Sequence, residues 1–295
     1  METARISPDM PNNTENSFHR MELLTGSGAL ERLSSTPVIL FGVGGVGSWC
    51  AEALVRSGIA NLTIVDSDLI CVTNINRQVQ ATFDTVGQLK VDVLRQRLFS
   101  INPEASINAV QTVYNCNTAA QFDLGRYKYV IDAIDSLSSK VELIINASAS
   151  GALIYSALGA SCKMDPTKIK IASLWKTEGC RLGRFVRKRL RRRGFNGDVT
   201  CVYSDEPAAK PHNVISGYGT GGCICQPSVD EVEGKEDQEE YSAKKQVNGS
   251  AVHVTAVFGF MLAGLVIQEI VKNQNAVSEP QNERAAMSVE TSNSN

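Results

Sequence analysis

The apolar run Val-Ile-Leu-Phe at 38–41 is followed at once by Gly42-Val43-Gly44-Gly45-Val46-Gly47, and this junction constrains the chain more than any other feature. Four apolar residues ending in clustered glycines predict a buried strand that stops at a tight turn. Over 45–57 the spacing of Trp49, Ala53 and Leu54 predicts a helix, stopped by Gly58. Glycines between strand and helix let backbone N–H groups approach phosphate oxygens, and the helix N-terminus adds partial positive charge. A second apolar run, 62–65, ends in Asp66, a carboxylate placed to accept both hydroxyls of a ribose. Gly42, Gly44, Gly45, Gly47 and Asp66 therefore point to a nucleotide. NAD and ATP satisfy these residues equally.

The alternation continues along the chain. Helical spacing covers 86–99 and stops before Asn102-Pro103, and strands are expected at 107–110, 129–134 and 153–158, with a helix at 137–149. Strands alternating with helices at this spacing predict an α/β, Rossmann-like, doubly wound and mostly parallel sheet. After about residue 165 the pattern weakens to a strand at 168–174, a basic helix at 183–193 and a strand at 199–204. The expected organisation is a polar leader (1–17), a nucleotide-binding core (18–175), a less regular C-terminal part (176–272) and a polar tail (273–295). Within the third part, 206–248 is rich in Gly, Pro and acids. The apolar segment 251–271 is long enough for a bilayer, but His253, Gln268, Glu269 and its many small residues make it a core or subunit-interface helix, not a membrane span.

Composition adds two points. The net charge of −2 conceals eight cations and no acid within 181–193, and seven acids with one lysine within 230–240. Eight scattered cysteines, with no apolar leader, fit reduced thiols in the cytoplasm.

The residues after Asp66 separate the two nucleotides. Asp66-Ser67-Asp68 leads into Val72-Thr73-Asn74-Ile75-Asn76-Arg77-Gln78, and Lys90 stands on the next helix. Hydride transfer has no use for cations here, whereas a triphosphate does: Arg77 can fork onto γ-phosphate oxygens and Lys90 can neutralise charge nearer the α-phosphate. Asp132 and Asp135 close the fourth strand at the mouth of the sheet, where a carboxylate can hold Mg2+ against phosphates. The plainer roles are a capping Asn74, a solvated Arg77–Asp ion pair and an N-capping Asp135. In the basic helix, Arg187, Lys188, Arg189 and Arg191 are candidate phosphate contacts, or else partners for the acidic 230–240 stretch.

At these residues the sequence resembles the ThiF/MoeB superfamily of activating enzymes, and within it the tRNA threonylcarbamoyladenosine dehydratases. The carrying stretches are GVGGVGSWCAEALVRSGI, TIVDSDLICVTNINRQ, YVIDAIDS, CVYSDE and TAVFGF, dense over 18–175 and patchy to 271. The resemblance implies that the four glycines with Asp66 hold adenosine and phosphate. It also implies that Asn74, Arg77, Gln78 and Lys90, with Asp68 and Asn76 beside them, grip ATP, and that Asp135 binds Mg2+. The implied reaction converts the threonylcarbamoyl carboxylate of a tRNA nucleoside to an acyl-AMP with release of pyrophosphate. The substrate's own carbamoyl group then displaces AMP, closing a ring with net loss of water. A homodimer, tRNA and a sulfur-transfer protein are the implied partners.

The chain departs from the pattern it resembles at several places. A zinc-binding CxxC pair is absent, Cys223-Ile224-Cys225 being CxC. Lys244 stands where several dehydratases have a cysteine. Cys201 is the candidate thiol, with a buried structural cysteine as its plain alternative. Leu23 occupies an expected arginine position, with Arg20 nearest. Two other classes share the triphosphate site: an activator of a ubiquitin-like or sulfur-carrier C-terminus, and a catalytically silent scaffold.

Overall fold

A computed structural model describes residues 17–209 and 248–272. Seven strands form one sheet: β1 (Pro37–Phe41), β2 (Asn61–Val65), β3 (Ser106–Val110), β4 (Tyr129–Asp132), β5 (Leu153–Ala157), β6 (Ile169–Ser173) and β7 (Thr200–Ser204), in the order β3-β2-β1-β4-β5-β7-β6. All pairings are parallel except β6 with β7. The α-helices among the described residues are α1 (His19–Thr25), α2 (Ser27–Ser35), α3 (Gly47–Arg56), α4 (Lys90–Ile101), α5 (Leu137–Ser150), α6 (Arg181–Arg192) and α7 (Val252–Lys272).

Strand residues alternate between two cores, as a sheet covered on both faces requires. Val38 and Leu40 pack with Leu54, Leu94 and Phe258, beneath α3, α4 and α7. Ile39 and Phe41 pack with Val141, Ile144 and Val186, beneath α5 and α6. β1 lies centrally, and the chain winds outward from it in both directions. The crevice between the carboxyl ends of β1 and β4 is thus the switch point where doubly wound sheets take ligands.

Several boundaries differ from the sequence pattern, each for a local reason. β4 ends at Asp132, not 134, because that carboxylate accepts the Ile134 N–H at 3.1 Å and turns the chain. α4 begins at Lys90, not 86, because the preceding residues are held in a turn with Gly87 at φ +88°: Ile70 N–H donates to the Gln88 carbonyl and Gly87 N–H to the Ile70 carbonyl, both at 2.8 Å. α6 begins at Arg181, two residues early, with the Cys180 thiol capping Gly183 N–H at 3.4 Å. β7 lies beyond residue 175 and inserts between β5 and β6, so one sheet spans the boundary drawn there. The apolar 21-residue α7 buries Val254, Phe258, Leu262, Val266 and Ile270. It meets α3 closely enough that a Cβ on Gly259 would fall 2.5 Å from the Val46 carbonyl oxygen. The 1–16 leader, the acidic 230–240 stretch, Cys223, Cys225, Lys244 and the 273–295 tail lie outside the described residues.

Candidate active site

The glycine loop is shaped by its surroundings. Gly42 has φ +85°, and a Cβ there would lie 2.8 Å from the Ala133 carbonyl oxygen; one on Gly47 would lie 1.8 Å from the Gly42 carbonyl oxygen. Both glycines are required by the fold. Gly45 packs against the Arg77 stem, with 3.2 Å from its Cβ position to Arg77 Cγ. Gly44 differs: the nearest atom to its Cβ position is Gln78 Nε2 at 3.9 Å. Open space therefore lies above Gly44, at the uncapped N-terminus of α3, where a phosphate can approach the backbone.

Asp66 follows β2 beside this loop. Its carboxylate accepts the Val43 N–H at 2.8 Å and the Asp68 N–H at 2.9 Å. Burial pushes its pKa above the usual carboxylate range, with the Lys90 ammonium opposing. Lys90 opens α4 and is bound to Asp68 twice: its N–H donates to the Asp68 carbonyl at 3.0 Å, and its ammonium to the carboxylate at 2.7 Å. Burial would lower the Lys90 pKa, but Asp66, Asp68 and Asp135 outweigh it and raise it, so the cation is held charged.

The Asn74–Gln78 stretch folds as a 3-10 turn and its continuation. Asn74 is buried, and its side-chain oxygen accepts the Cys71 N–H at 3.0 Å. It is the cap of this turn (Val72–Asn74), the plainer of its two expected roles. Asn76 donates to the Ser250 carbonyl at 2.8 Å, tying the turn to the approach of α7. Arg77 is half-buried, and its Nη1 donates to the Thr73 carbonyl at 2.7 Å and to Asn76 Oδ1 at 3.0 Å. Its Nε and Nη2 make no hydrogen bond among the described residues. That guanidinium is oriented at one end and available at the other. Gln78 is buried with Oε1 unpartnered. Gln80, which the sequence pattern did not single out, is equally buried, and its Nε2 donates to the Val43 carbonyl at 2.8 Å. The second glutamine in Arg77-Gln-Val-Gln80 was its only signal.

Across the crevice the two aspartates of β4's end separate in role. Asp132 is fully buried and bonded to Lys140 at 2.6 Å, so it is not a ligand-facing group. Asp135 is exposed, and its charge reaches Lys90. Among the described residues no cluster of three or more His, Cys, Asp or Glu could cage a metal. Mg2+ characteristically takes one or two carboxylates and completes its shell with phosphates and waters, and a lone exposed carboxylate beside a phosphate cradle fits that habit.

Other expected site residues lie elsewhere. Cys201 is fully buried between strands, its thiol donating to the Val199 carbonyl at 3.6 Å, and burial pushes its pKa far up. That environment is inert, which removes Cys201 as a nucleophile. Arg187 is half-buried and donates to the Leu174 and Thr177 carbonyls at 3.2 and 2.9 Å and to the Thr177 hydroxyl. Arg189 donates to Ser138 at 3.0 Å, and Arg191 lies 5.2 Å from the Trp175 ring centroid. α1 buries no residue, leaving Leu23 and Leu24 exposed.

Comparison with known proteins gives the family. The tRNA threonylcarbamoyladenosine dehydratase of Bacillus subtilis is 35% identical over 87% of the chain and 95% of its own length. That of Escherichia coli is 34% identical over 84% of the chain and 91% of its length. The crystal structures of the Escherichia coli enzyme with AMP and with ATP superpose with TM-scores of 0.73 and 0.72, each at 31% identity over 88% of this chain and 96% of that one. The ThiF family model matches residues 18–294. On this match, and on relatives aligned over nearly their full length, the chain belongs to the ThiF family.

Proposed function

We propose that this chain adenylates the carboxylate of threonylcarbamoyladenosine in tRNA, using ATP, and drives its cyclisation by loss of water with release of AMP and pyrophosphate. The observation that carries the reading is the convergence of Gly44, Arg77, Lys90 and Asp135 on one crevice. Asp66 receives the ribose, and the Gly44 backbone with the α3 N-terminus receives phosphate. Arg77 offers two untied nitrogens to terminal phosphate oxygens, while Lys90, held charged by three carboxylates, steadies the α-phosphate as the substrate carboxylate attacks it. Asp135 would hold Mg2+, which supplies charge neutralisation across the phosphates. The carboxylate oxygen then leaves with AMP when the neighbouring carbamoyl group closes the ring. Proximity within one nucleoside makes an enzyme thiol unnecessary, in keeping with the inert Cys201.

The tRNA contact falls to α6. Hydrogen bonds from Arg189 to Ser138, and from Arg193 at its end to Glu142, hold it beside α5. Its start packs near Gly159, just past the carboxyl end of β5, on the same edge of the sheet at which the crevice opens. The working form is a cytoplasmic homodimer: α7 leaves Phe260 47% exposed, edge-on to Trp49, with Met261 and Leu265 half-buried beside it.

ATP–pyrophosphate exchange tests the reaction. Exchange should require tRNA bearing threonylcarbamoyladenosine and be absent with unmodified tRNA. Exchange driven by a carrier-protein C-terminus instead would overturn it.

A further inference from the structure

A buried ion pair beside the crevice takes no direct part in the site. Asp132 and Lys140 are both 0% exposed. One carboxylate oxygen of Asp132 accepts hydrogen bonds from the Lys140 ammonium and the Ser156 hydroxyl, each at 2.6 Å. Lys140 also donates to the Ser156 hydroxyl at 3.3 Å and to the Ala157 carbonyl at 2.9 Å. The second oxygen of Asp132 accepts the Ile134 N–H at 3.1 Å. Every ammonium proton and both carboxylate oxygens are thus partnered. The network joins β4, β5 and α5 at one level of the sheet, where Asp132 pairs in register with Phe41 on one side and Ser156 on the other.

Taking two charges out of water is costly, and apolar residues of similar volume commonly stabilise a core as well or better. What the pair supplies is geometry. It clamps both ends of the short strap 133–139, which carries Asp135. The strap also abuts the phosphate loop. The Ala133 N–H donates to the Phe41 carbonyl at 2.9 Å. The Ala133 carbonyl oxygen lies 2.8 Å from the Cβ position of Gly42, and its methyl 3.2 Å from that of Gly47.

We propose that Asp132, Lys140 and Ser156 form a positioning unit that fixes Asp135 relative to the glycine loop, so that carboxylate, metal and phosphates meet in a single arrangement. The inference rests on Asp135 holding Mg2+. The three residues act through Asp135.

The test is ATP affinity by calorimetry, with and without Mg2+, on the full chain and on S156A, the paired variant D132N/K140M, and D135N. The paired variant strands no buried charge, and S156A leaves the ion pair whole. Circular dichroism and unfolding midpoints check the fold. Mg2+ should tighten ATP binding to the wild type about tenfold or more, a common size for coupled ligands, and D135N should lose that gain. D132N/K140M should keep metal-free affinity within about threefold. Its half-saturating Mg2+ should rise by about tenfold, as when partners of a metal ligand are removed, with S156A shifted the same way by less. A folded D132N/K140M with the wild-type Mg2+ gain would overturn the positioning role, and if that variant fails to fold, S156A decides by the same readouts. A D135N that keeps the gain would instead remove the metal role of Asp135, and the proposal with it.

Discussion

Gly44 and Gly47 belong to one loop, yet substitution should damage them in different ways. A methyl at Gly47 meets the Gly42 carbonyl at 1.8 Å, so backbone must move. Gly47→Ala should lose stability by about 1–3 kcal/mol or more, as overpacking does. A methyl at Gly44 has room, with nothing nearer than 3.9 Å. Gly44→Ala should melt as the wild type does while ATP affinity falls by about tenfold, or about 1.4 kcal/mol, because the methyl occupies the phosphate's approach. Paired melting curves and ATP titrations check both, and unchanged ATP affinity in Gly44→Ala would show that phosphate sits elsewhere. Asp135→Ala should abolish pyrophosphate exchange by several orders of magnitude with an intact fold, as removal of a metal-holding charge does. Normal exchange by the folded variant would assign the metal elsewhere. Residue types in order announced the phosphate cradle, but not how the work is divided within it. Asn74 gives its side-chain oxygen to its own turn, and Asp132 gives its carboxylate to a buried lysine. Neither fact is visible in the sequence, because each depends on a partner's distance and on which carboxylate the turn after β4 leaves outside.

At the scale of elements, periodicity found every strand among the described residues and the helices there that carry an apolar stripe. It missed α1, which buries nothing, and α2, which buries only Ala29 and Leu33. It also could not show that β7 returns to the sheet, since long-range pairing leaves no local pattern. One interaction between elements was equally hidden. Glu52 of α3 is 5% exposed. It accepts from Arg97 of α4 at 2.5 Å and from Arg56 at 2.9 Å. Burial pushes the Glu52 pKa up, but the two guanidinium groups outweigh it and hold it below the usual carboxylate range. A lowered folded pKa stabilises the protein above the unfolded value, and that contribution is lost as pH falls through the folded one. Glu52→Gln should therefore cost about 1–2 kcal/mol at neutral pH, discounted because both arginines are partly exposed to solvent. The difference from wild type should shrink as the pH drops below the carboxylate range. Urea unfolding across that range checks it, and a pH-independent difference would show that packing, not charge, is lost.

For the whole molecule, the question is how a chain with a net charge of −2 engages a polyanion. The sum is uninformative, because eight cations with no acid fall together within 181–193, most of them on α6. That helix is not uniform. Arg187 is turned inward onto the Leu174 and Thr177 carbonyls, where its loss would strand buried acceptors and loosen the contact between α6 and the preceding turn (Leu174–Lys176). Arg191 is exposed across the Trp175 ring, and Lys188 is half-buried on the same helix. Substituting all four candidate cations at once would therefore confuse stability with binding, and the two effects need separate variants. Arg187→Ala should lower the melting temperature, with tRNA affinity reduced only as far as folding is. Lys188→Ala combined with Arg191→Ala should fold and bind ATP normally, but hold tRNA more weakly. Each phosphate contact releases condensed counterions, so affinity falls steeply with salt in proportion to the number of contacts. Removing two cations should flatten that slope by up to about two units, and weaken binding without regard to tRNA sequence. Filter binding or fluorescence anisotropy at several salt concentrations measures both quantities. If the double variant bound tRNA with the wild-type affinity and slope, α6 would be excluded as the tRNA contact, and its charge would have to serve another acidic surface, the 230–240 stretch of the same chain being the first to test.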